Sequence, residues 1–148
     1  MIIEKSISLP APVEKVWEKI EDLEGVIRCM PGIQDVKALG DNKWRIKMNQ
    51  KVGFISVTFD ADMEVTKWEP PTHLETKTDA TARMGLGKAF QNQSLDLVAA
   101  SENETTAKYK AEVALSGKIG TFGQRILSGK VDQLSNDFAK AFIDKLSS

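Results

Sequence analysis

The hydrophobic period of the chain changes twice, dividing it into three parts. Residues 2–9 (Ile-Ile-Glu-Lys-Ser-Ile-Ser-Leu) are rich in β-branched side chains and partly alternating, as a strand requires. Pro10-Ala11-Pro12 ends any ladder, because proline has no N–H to donate. Val13, Trp17, Ile20 and Leu23 then recur near every 3.6 residues against Glu14, Lys15, Glu18, Lys19, Glu21 and Asp22. That spacing predicts an amphipathic helix over 12–24 with its exit at Gly25. A second helical turn, Val26 to Met30, ends at the breaker pair Pro31-Gly32. From Ile33 to about Leu115 the period is 2. The cleanest run sets Ile55, Val57, Phe59, Ala61, Met63 and Val65 against Ser56, Thr58, Asp60, Asp62, Glu64 and Thr66. Turn clusters then divide this region into strands at 34–40, 43–52, 54–68, 73–83, 88–100 and 105–116, an antiparallel meander with one buried face. The helical period returns in Phe122, Ile126, Leu127, Val131, Leu134, Phe138, Phe142 and Leu146. About 26 residues of helix span about 39 Å, enough to cover the sheet. The expected architecture is α+β: a strand, a helix pair, an antiparallel sheet and a long helix along its concave side.

Composition narrows this picture without naming a function. The chain has 148 residues, 41% hydrophobic and 28% charged, so a single domain over 1–148 can bury a real core, and disorder is excluded. Twenty basic against 21 acidic residues leave no global positive field for nucleic acid. One cysteine (Cys29) and one histidine (His73) exclude an intramolecular disulfide and a Cys/His metal cage, and point to a reducing, cytoplasmic setting. Met1-Ile2-Ile3-Glu4-Lys5 does not read as a signal peptide, and no run of 18 apolar residues occurs. Charge is uneven along the chain. Residues 108–130 hold five cations (Lys108, Lys110, Lys118, Arg125, Lys130) and one acid, Glu112. Residues 13–24 hold five acids and two lysines. The cationic stretch reads either as a solvated face or as a surface for anionic lipid or an acidic partner.

Candidate catalytic groups are sparse. His73 shares the outward phase of its strand with Glu75, Lys77 and Asp79, the position of an exposed strand-start histidine. Cys29 reads as a small buried hydrophobe, with no second histidine to activate it. Asp60, Asp62 and Glu64 share a solvent-facing phase. No phosphate loop, serine elbow or metal-carboxylate spacing occurs, and no cofactor is expected.

The inward phases carry more information. Thr76, Thr78, Ala80 and Ala82 are small where a sheet under a helix usually carries Val, Ile or Leu. Ala89, Gln91 and Gln93 share a phase with Leu95 and Leu97, and Tyr109 lies among Ala107, Ala111 and Val113. Together with the flexible Met48, Met63 and Met84, these describe an incompletely filled interior, the kind of apolar hollow with a few polar groups in which small molecules bind. The predicted lining is Met48, Phe59, Met63, Thr76, Thr78, Ala80, Gln91, Gln93, Tyr109, Ala111, Phe122, Ile126 and Leu134. The alternative is that Phe122 through Phe142 fill the space and the glutamines lie at a wet sheet end.

Two motifs carry a resemblance. The first strand followed by Pro10-Ala11-Pro12-Val13-Glu14-Lys15-Val16-Trp17 and then Cys29-Met30-Pro31-Gly32 resembles the opening of the START-like, Bet v 1-like (SRPBCC) helix-grip superfamily. Ser116-Gly117-Lys118-Ile119-Gly120-Thr121-Phe122-Gly123-Gln124-Arg125-Ile126-Leu127 resembles the glycine-rich lead into the last helix of the CoxG family of carbon monoxide dehydrogenase subunits. The resemblance implies a seven-stranded antiparallel sheet wrapped around a long C-terminal helix, two short helices between strands 1 and 2, and a hydrophobic tunnel. It also implies association with molybdenum CO dehydrogenase systems, membrane recruitment, and handling of lipid or quinone. It transfers no catalytic residue. Relatives of this kind extend past the last helix into a tail. This sequence ends at Leu146-Ser147-Ser148, which moves the expectation toward a carrier.

The leading expectation is therefore a non-enzymatic carrier of an apolar ligand, lipid or quinone, with peripheral contact to a membrane. Two alternatives stand beside it. One is a polyketide cyclase/aromatase-like enzyme, for which the inward phases offer only Tyr109 as a titrating group. The other is a ligand-free interaction or assembly module with a filled core.

Overall fold

A computed structural model describes residues 1–147. Strands β1 (Ile2–Leu9), β2 (Ile33–Gly40), β3 (Lys43–Val52), β4 (Ile55–Glu69), β5 (His73–Ala82), β6 (Gly87–Ser101) and β7 (Glu104–Ser116) form one antiparallel sheet. Its order is β1-β7-β6-β5-β4-β3-β2, so β2 to β7 run as a meander and β1 closes on β7. Helices α1 (Val13–Glu21) and α2 (Leu23–Ile27) connect the two edge strands, and α3 (Gln124–Leu146) follows a short 3-10 turn at Lys118–Thr121. The seven strands and the helix order agree with the sequence pattern.

One boundary differs from expectation. The first helix does not run to residue 24 and leave at Gly25; it breaks at Asp22, and Gly25 lies inside α2. Asp22 ends α1 and caps α2, its carboxylate accepting from the Gly25 N–H at 3.2 Å. Lys145, near the end of α3, donates to the same carboxylate at 2.8 Å. A Cβ at Gly25 would overlap both Asp22 Oδ2 and Lys145 Nζ. Glycine here makes room for an ion pair. The Lys145 ammonium, then the Gly25 N–H, hold the Asp22 carboxyl below the usual carboxylate range.

The Pro31-Gly32 pair is a docking element. Gln50, buried on β3, donates to the Pro31 carbonyl at 2.6 Å, and the Asn49 N–H donates to the Gly32 carbonyl at 2.9 Å. Gly32 has φ +86°, and a Cβ on it would overlap the Asn49 carbonyl oxygen. Backbone therefore meets backbone where only glycine fits. These contacts tie the segment after α2 to β3.

Cross-strand register explains the curvature and the core. A bulge in β4 between Val65 and Lys67 reverses the phase, so Trp68 pairs with the buried Leu74. Trp68 then reaches Trp17 of α1, with ring centroids 4.8 Å apart. Buried residues gather in two clusters. The first joins Leu9, Val16, Trp17, Ile20, Val65, Leu74, Leu97 and Ala107 to Phe142 and Leu146 of α3. The second joins Val52, Val57, Phe59, Ala82 and Ile119, with Met48, Ala80, Phe122 and Leu127 packed against it.

Replacing Gly32 by alanine is expected to lower unfolding free energy by more than about 2 kcal/mol, because strain and a backbone clash coincide there. Gly129→Ala, within α3 where nothing lies within 4 Å of the new Cβ, is expected to stabilise by about 0.5–1 kcal/mol. Urea denaturation followed by circular dichroism measures both; equal effects at the two positions would contradict the assignment of Gly32.

Candidate functional site

The two clusters do not meet along the inner face of the sheet. Between them lie two registers of cross-strand neighbours. One runs Trp44–Met63–Thr78–Gln91–Val113 and the other Thr76–Gln93–Ala111–Ile3, next to Val65 of the first cluster. On α3 the second cluster reaches Leu127 and the first begins at Phe138, leaving about 16 Å of helix above these registers. Val131 and Leu134 are the apolar residues of that span, and both are only half-buried. Met63, Thr78, Gln91, Gln93, Tyr109 and Val113 face inward and are also half-buried. In a filled core such positions would be sealed. A belt of mostly half-buried residues lies between two packed ends.

The polar groups of the belt form one connected set. Thr76 Oγ1 donates to Gln93 Oε1 at 2.9 Å, and Gln93 Nε2 donates to Gln91 Oε1. The Tyr109 phenol is hydrogen-bonded to Gln93, while burial pushes its pKa up to about 12. Tyr109 therefore stays protonated across the neutral range and is suited to hydrogen bonding, not to proton abstraction. The amide of Gln93 uses both its ends within the set. That arrangement fixes the orientation of Gln91 and Tyr109 on the belt.

Of the predicted lining, Met63, Thr76, Thr78, Gln91, Gln93 and Tyr109 come together on the belt, with the buried Ala111 between Gln93 and Ile3 in register. Leu134 lies on the free span of α3. Met48, Phe59, Ala80 and Phe122 belong to the second cluster and form one wall of the belt. Ile126 is 45% exposed at the start of α3, away from the central registers. Met84 is not on the inner face as the pattern implied. It occupies the tip of the β5–β6 turn with φ +65° and is 93% exposed, because the strand ends at Ala82.

At the β1 edge the space between sheet and helix opens to solvent in a cleft of about 210 Å³ lined by Met1, Ile3, Lys5, Gln124, Val131 and Asp132. Lys5 Nζ meets Asp132 Oδ1 at 2.6 Å across it. The sequence pattern did not reveal Lys5 as an inward residue. The signal was present in the shared phase of Ile3, Lys5, Ile7 and Leu9, but the adjacent pair Ile2-Ile3 obscured it. Trp17 Nε1, the one buried side-chain donor without a hydrogen-bond partner among the described residues, lies in the first cluster and not on the belt.

Comparison with known proteins agrees with this geometry. The sequence profile of CoxG, a carbon monoxide dehydrogenase subunit family, matches residues 6–147. The chain belongs to the CoxG family. A search of the curated proteins returns no match. Among solved structures, a conserved protein from Geobacillus kaustophilus superposes with a TM-score of 0.92 at 26% identity, over 99% of this chain and 95% of that one. The Zhui aromatase/cyclase from a Streptomyces species gives 0.72 at 15% identity, over 99% and 93%. A START superfamily protein from Mycobacterium smegmatis gives 0.69 at 14%, over 99% and 97%. The last two show the START-like helix-grip fold. Among the described residues no group of His, Cys, Asp and Glu is arranged to hold a metal ion, and no helix is long and apolar enough to cross a membrane.

Unlike Tyr109, the titratable Cys29 and His73 singled out in the sequence lie off the belt. Cys29 donates weakly to the Gly25 carbonyl, and burial pushes its thiol up, away from the reactive thiolate. His73 pairs in register with Asp96 and sits between two carboxylates, Glu75 Oε2 and Asp96 Oδ1, each 2.6 Å from a ring nitrogen. Those hydrogen bonds, Glu75 first, raise its pKa above the ordinary 6.5. A raised folded-state pKa means the contribution of His73 is full below the unfolded value of about 6.5 and is lost as pH rises through the folded value. NMR titration of the single histidine is expected to show a midpoint above 6.5, and His73→Gln is expected to flatten the stability profile in that window; a midpoint at or below 6.5 would contradict the carboxylate clasp.

Proposed function

We propose that this CoxG-family chain is a non-enzymatic carrier that holds an apolar, carbonyl-bearing molecule, a quinone or a lipid, in the belt between sheet and helix. The observation that carries the reading is the row of inward-facing, half-buried residues between two packed clusters. The chemistry of the belt supports it. Met63, Val113, Val131 and Leu134 offer apolar surface, and Tyr109 and Gln91 offer donors to a carbonyl oxygen. Burial of about 300 Å² of ligand apolar surface supplies about 7 kcal/mol before the cost of association. Hydrogen bonds of about 1 kcal/mol each then select orientation. The family relation supports an accessory role beside a carbon monoxide dehydrogenase-type enzyme, with the carried molecule as the exchanged species. Cyclase or aromatase chemistry on the same fold needs an internal acid or base, and Tyr109, protonated up to about pH 12, supports the carrier over that alternative.

Organic extraction of freshly purified protein, analysed by mass spectrometry against a buffer-matched unrelated protein, is expected to release a quinone or lipid in stoichiometric amount. Thr78→Phe, which fills the belt beside Gln91, is expected to abolish uptake of a short-chain quinone while leaving thermal unfolding cooperative. Tyr109→Phe is expected to weaken uptake by about 2- to 10-fold. Quenching of Trp44, a register neighbour of Met63, reports the binding. An extract without ligand, combined with no quenching by quinone, would replace the carrier with a ligand-free interaction module.

A further inference from the structure

The cleft at the β1 edge holds a charge where the pattern of the strand asks for an apolar residue. Ile3, Lys5, Ile7 and Leu9 share the inward phase of β1; Ile3 and Ile7 are half-buried and Leu9 is buried. Lys5 breaks that run. A charged side chain on the inward phase departs from the local rule, and such departures gather at functional sites. Its register partner on β7 is Tyr109, the phenol of the belt network, so the two side chains leave neighbouring strands on one face.

The surroundings of Lys5 are those of a site for an acidic group. Its ammonium meets Asp132 Oδ1 at 2.6 Å, but the two side chains are 40% and 59% exposed. A pair this open holds its partners weakly, and Asp132 can turn back to water at little cost. Gln124 and Ser128 precede Asp132 by eight and four positions on α3, so all three stand on one face of the helix and line the cleft of about 210 Å³. The Gln124 and Ser128 side chains make no hydrogen bond among the described residues and are able to donate to an oxygen there. Glu4, the other acid of the cleft, stands on the outer phase of β1 opposite Lys110 in register. Ile3 and Val131 belong both to the cleft and to the belt, and so join this polar mouth to the apolar interior. A neutral carbonyl would leave the Lys5–Asp132 pair as it stands. An acidic oxygen competes with Asp132 for the ammonium through a charge-assisted hydrogen bond.

We infer that the cleft is a head-group subsite, in which Lys5 exchanges Asp132 for the carboxylate or phosphate of an amphiphile whose chain lies along the belt. The inference rests on the carrier reading and narrows the preferred cargo to an acid with an apolar chain. Lys5 is the residue that sets this preference, and Asp132 is its internal competitor.

The test is calorimetric titration of the full chain with laurate and with dodecanol, which share a chain and differ in the head. Laurate is expected to bind at least about tenfold more tightly than dodecanol, and high salt is expected to reduce that ratio. Lys5→Met is expected to bring the ratio to about one, whereas Lys5→Arg is expected to retain most of it. Asp132→Asn is expected to raise the ratio by about threefold or more, because the competing carboxylate is gone. A lysine that merely fastened helix to sheet would give both variants the same sign, so the opposed signs identify the exchange. Equal binding of laurate and dodecanol, or a ratio that moves the same way in Lys5→Met and Asp132→Asn, would overturn the inference and leave the carrier reading standing. Binding of neither compound, with no quenching by quinone, would overturn the carrier reading and this inference with it. Dodecyl phosphate separates the two sources of acid: tighter binding than laurate supports a phospholipid head, and weaker binding supports a free fatty acid, each in keeping with selection by Lys5.

Discussion

Helix α3 is fastened to the sheet at its two ends, and the accessible interior follows from that fastening. Phe142 and Leu146 are buried with the α1 core, and Lys145 reaches Asp22 at the α1–α2 junction. At the other end Ile119 and Phe122 seat the lead into the helix on β3, β4 and the β5–β6 turn. The span of α3 between Leu127 and Phe138, about 16 Å, belongs to neither packed cluster. Large side chains could have filled the gap. The sheet instead presents Thr76, Thr78, Ala80 and Ala111 there, and the helix presents Val131 and Leu134. Small sheet residues and a half-buried stretch of helix thus lie between two packed ends.

Periodicity carried most of this architecture. Alternation placed all seven strands to within a residue or two, because a sheet with one wet face writes its phase into every second position. The polar set on the belt followed from phase alone: Thr76, Gln91, Gln93 and Tyr109 were expected on one face and share one hydrogen-bond network. Local signals failed where a distant residue decides the conformation. Asp22 breaks the first helix as the cap of α2, and Lys145, 123 positions away, meets the same carboxylate. Trp68 turns inward because of a bulge at Val65/Lys67 that hydropathy does not encode. Met84 follows a run of inward residues yet sits on a turn tip, since the strand had already ended at Ala82. Lys5 needed the register of β1 against β7, and a short edge strand with adjacent isoleucines gave two readings of phase.

The two motifs that carry the family relation have a structural meaning. Pro31-Gly32 brings two carbonyls onto Gln50 and Asn49 at a distance no side chain would allow. Gly117 has φ +75° and passes so close to Gly87 that a Cβ would lie 2.7 Å from its Cα. That contact turns the chain out of β7 and aims it back across the sheet. Each motif sets where a helix stands relative to the strands, and so sets the depth of the space beneath α3. The hydrogen-bonding groups of the belt, Thr76, Gln91, Gln93 and Tyr109, lie outside both motifs.

The unequal fastening of α3 makes the helix a lever. Its C-terminal end is held by buried aromatic packing and an ion pair, while its first two turns contribute Leu127 to the second cluster and leave Ile126 in solvent. From Phe142 to Gln124 the arm is about 27 Å, so a rotation of about 10° at the C-terminal end would move the N-terminal end by about 5 Å. Lys5–Asp132 lies partway along that arm, where one exposed ion pair spans the gap between helix and edge strand. Any rotation about the C-terminal end would therefore displace the first turns of α3 far more than the last.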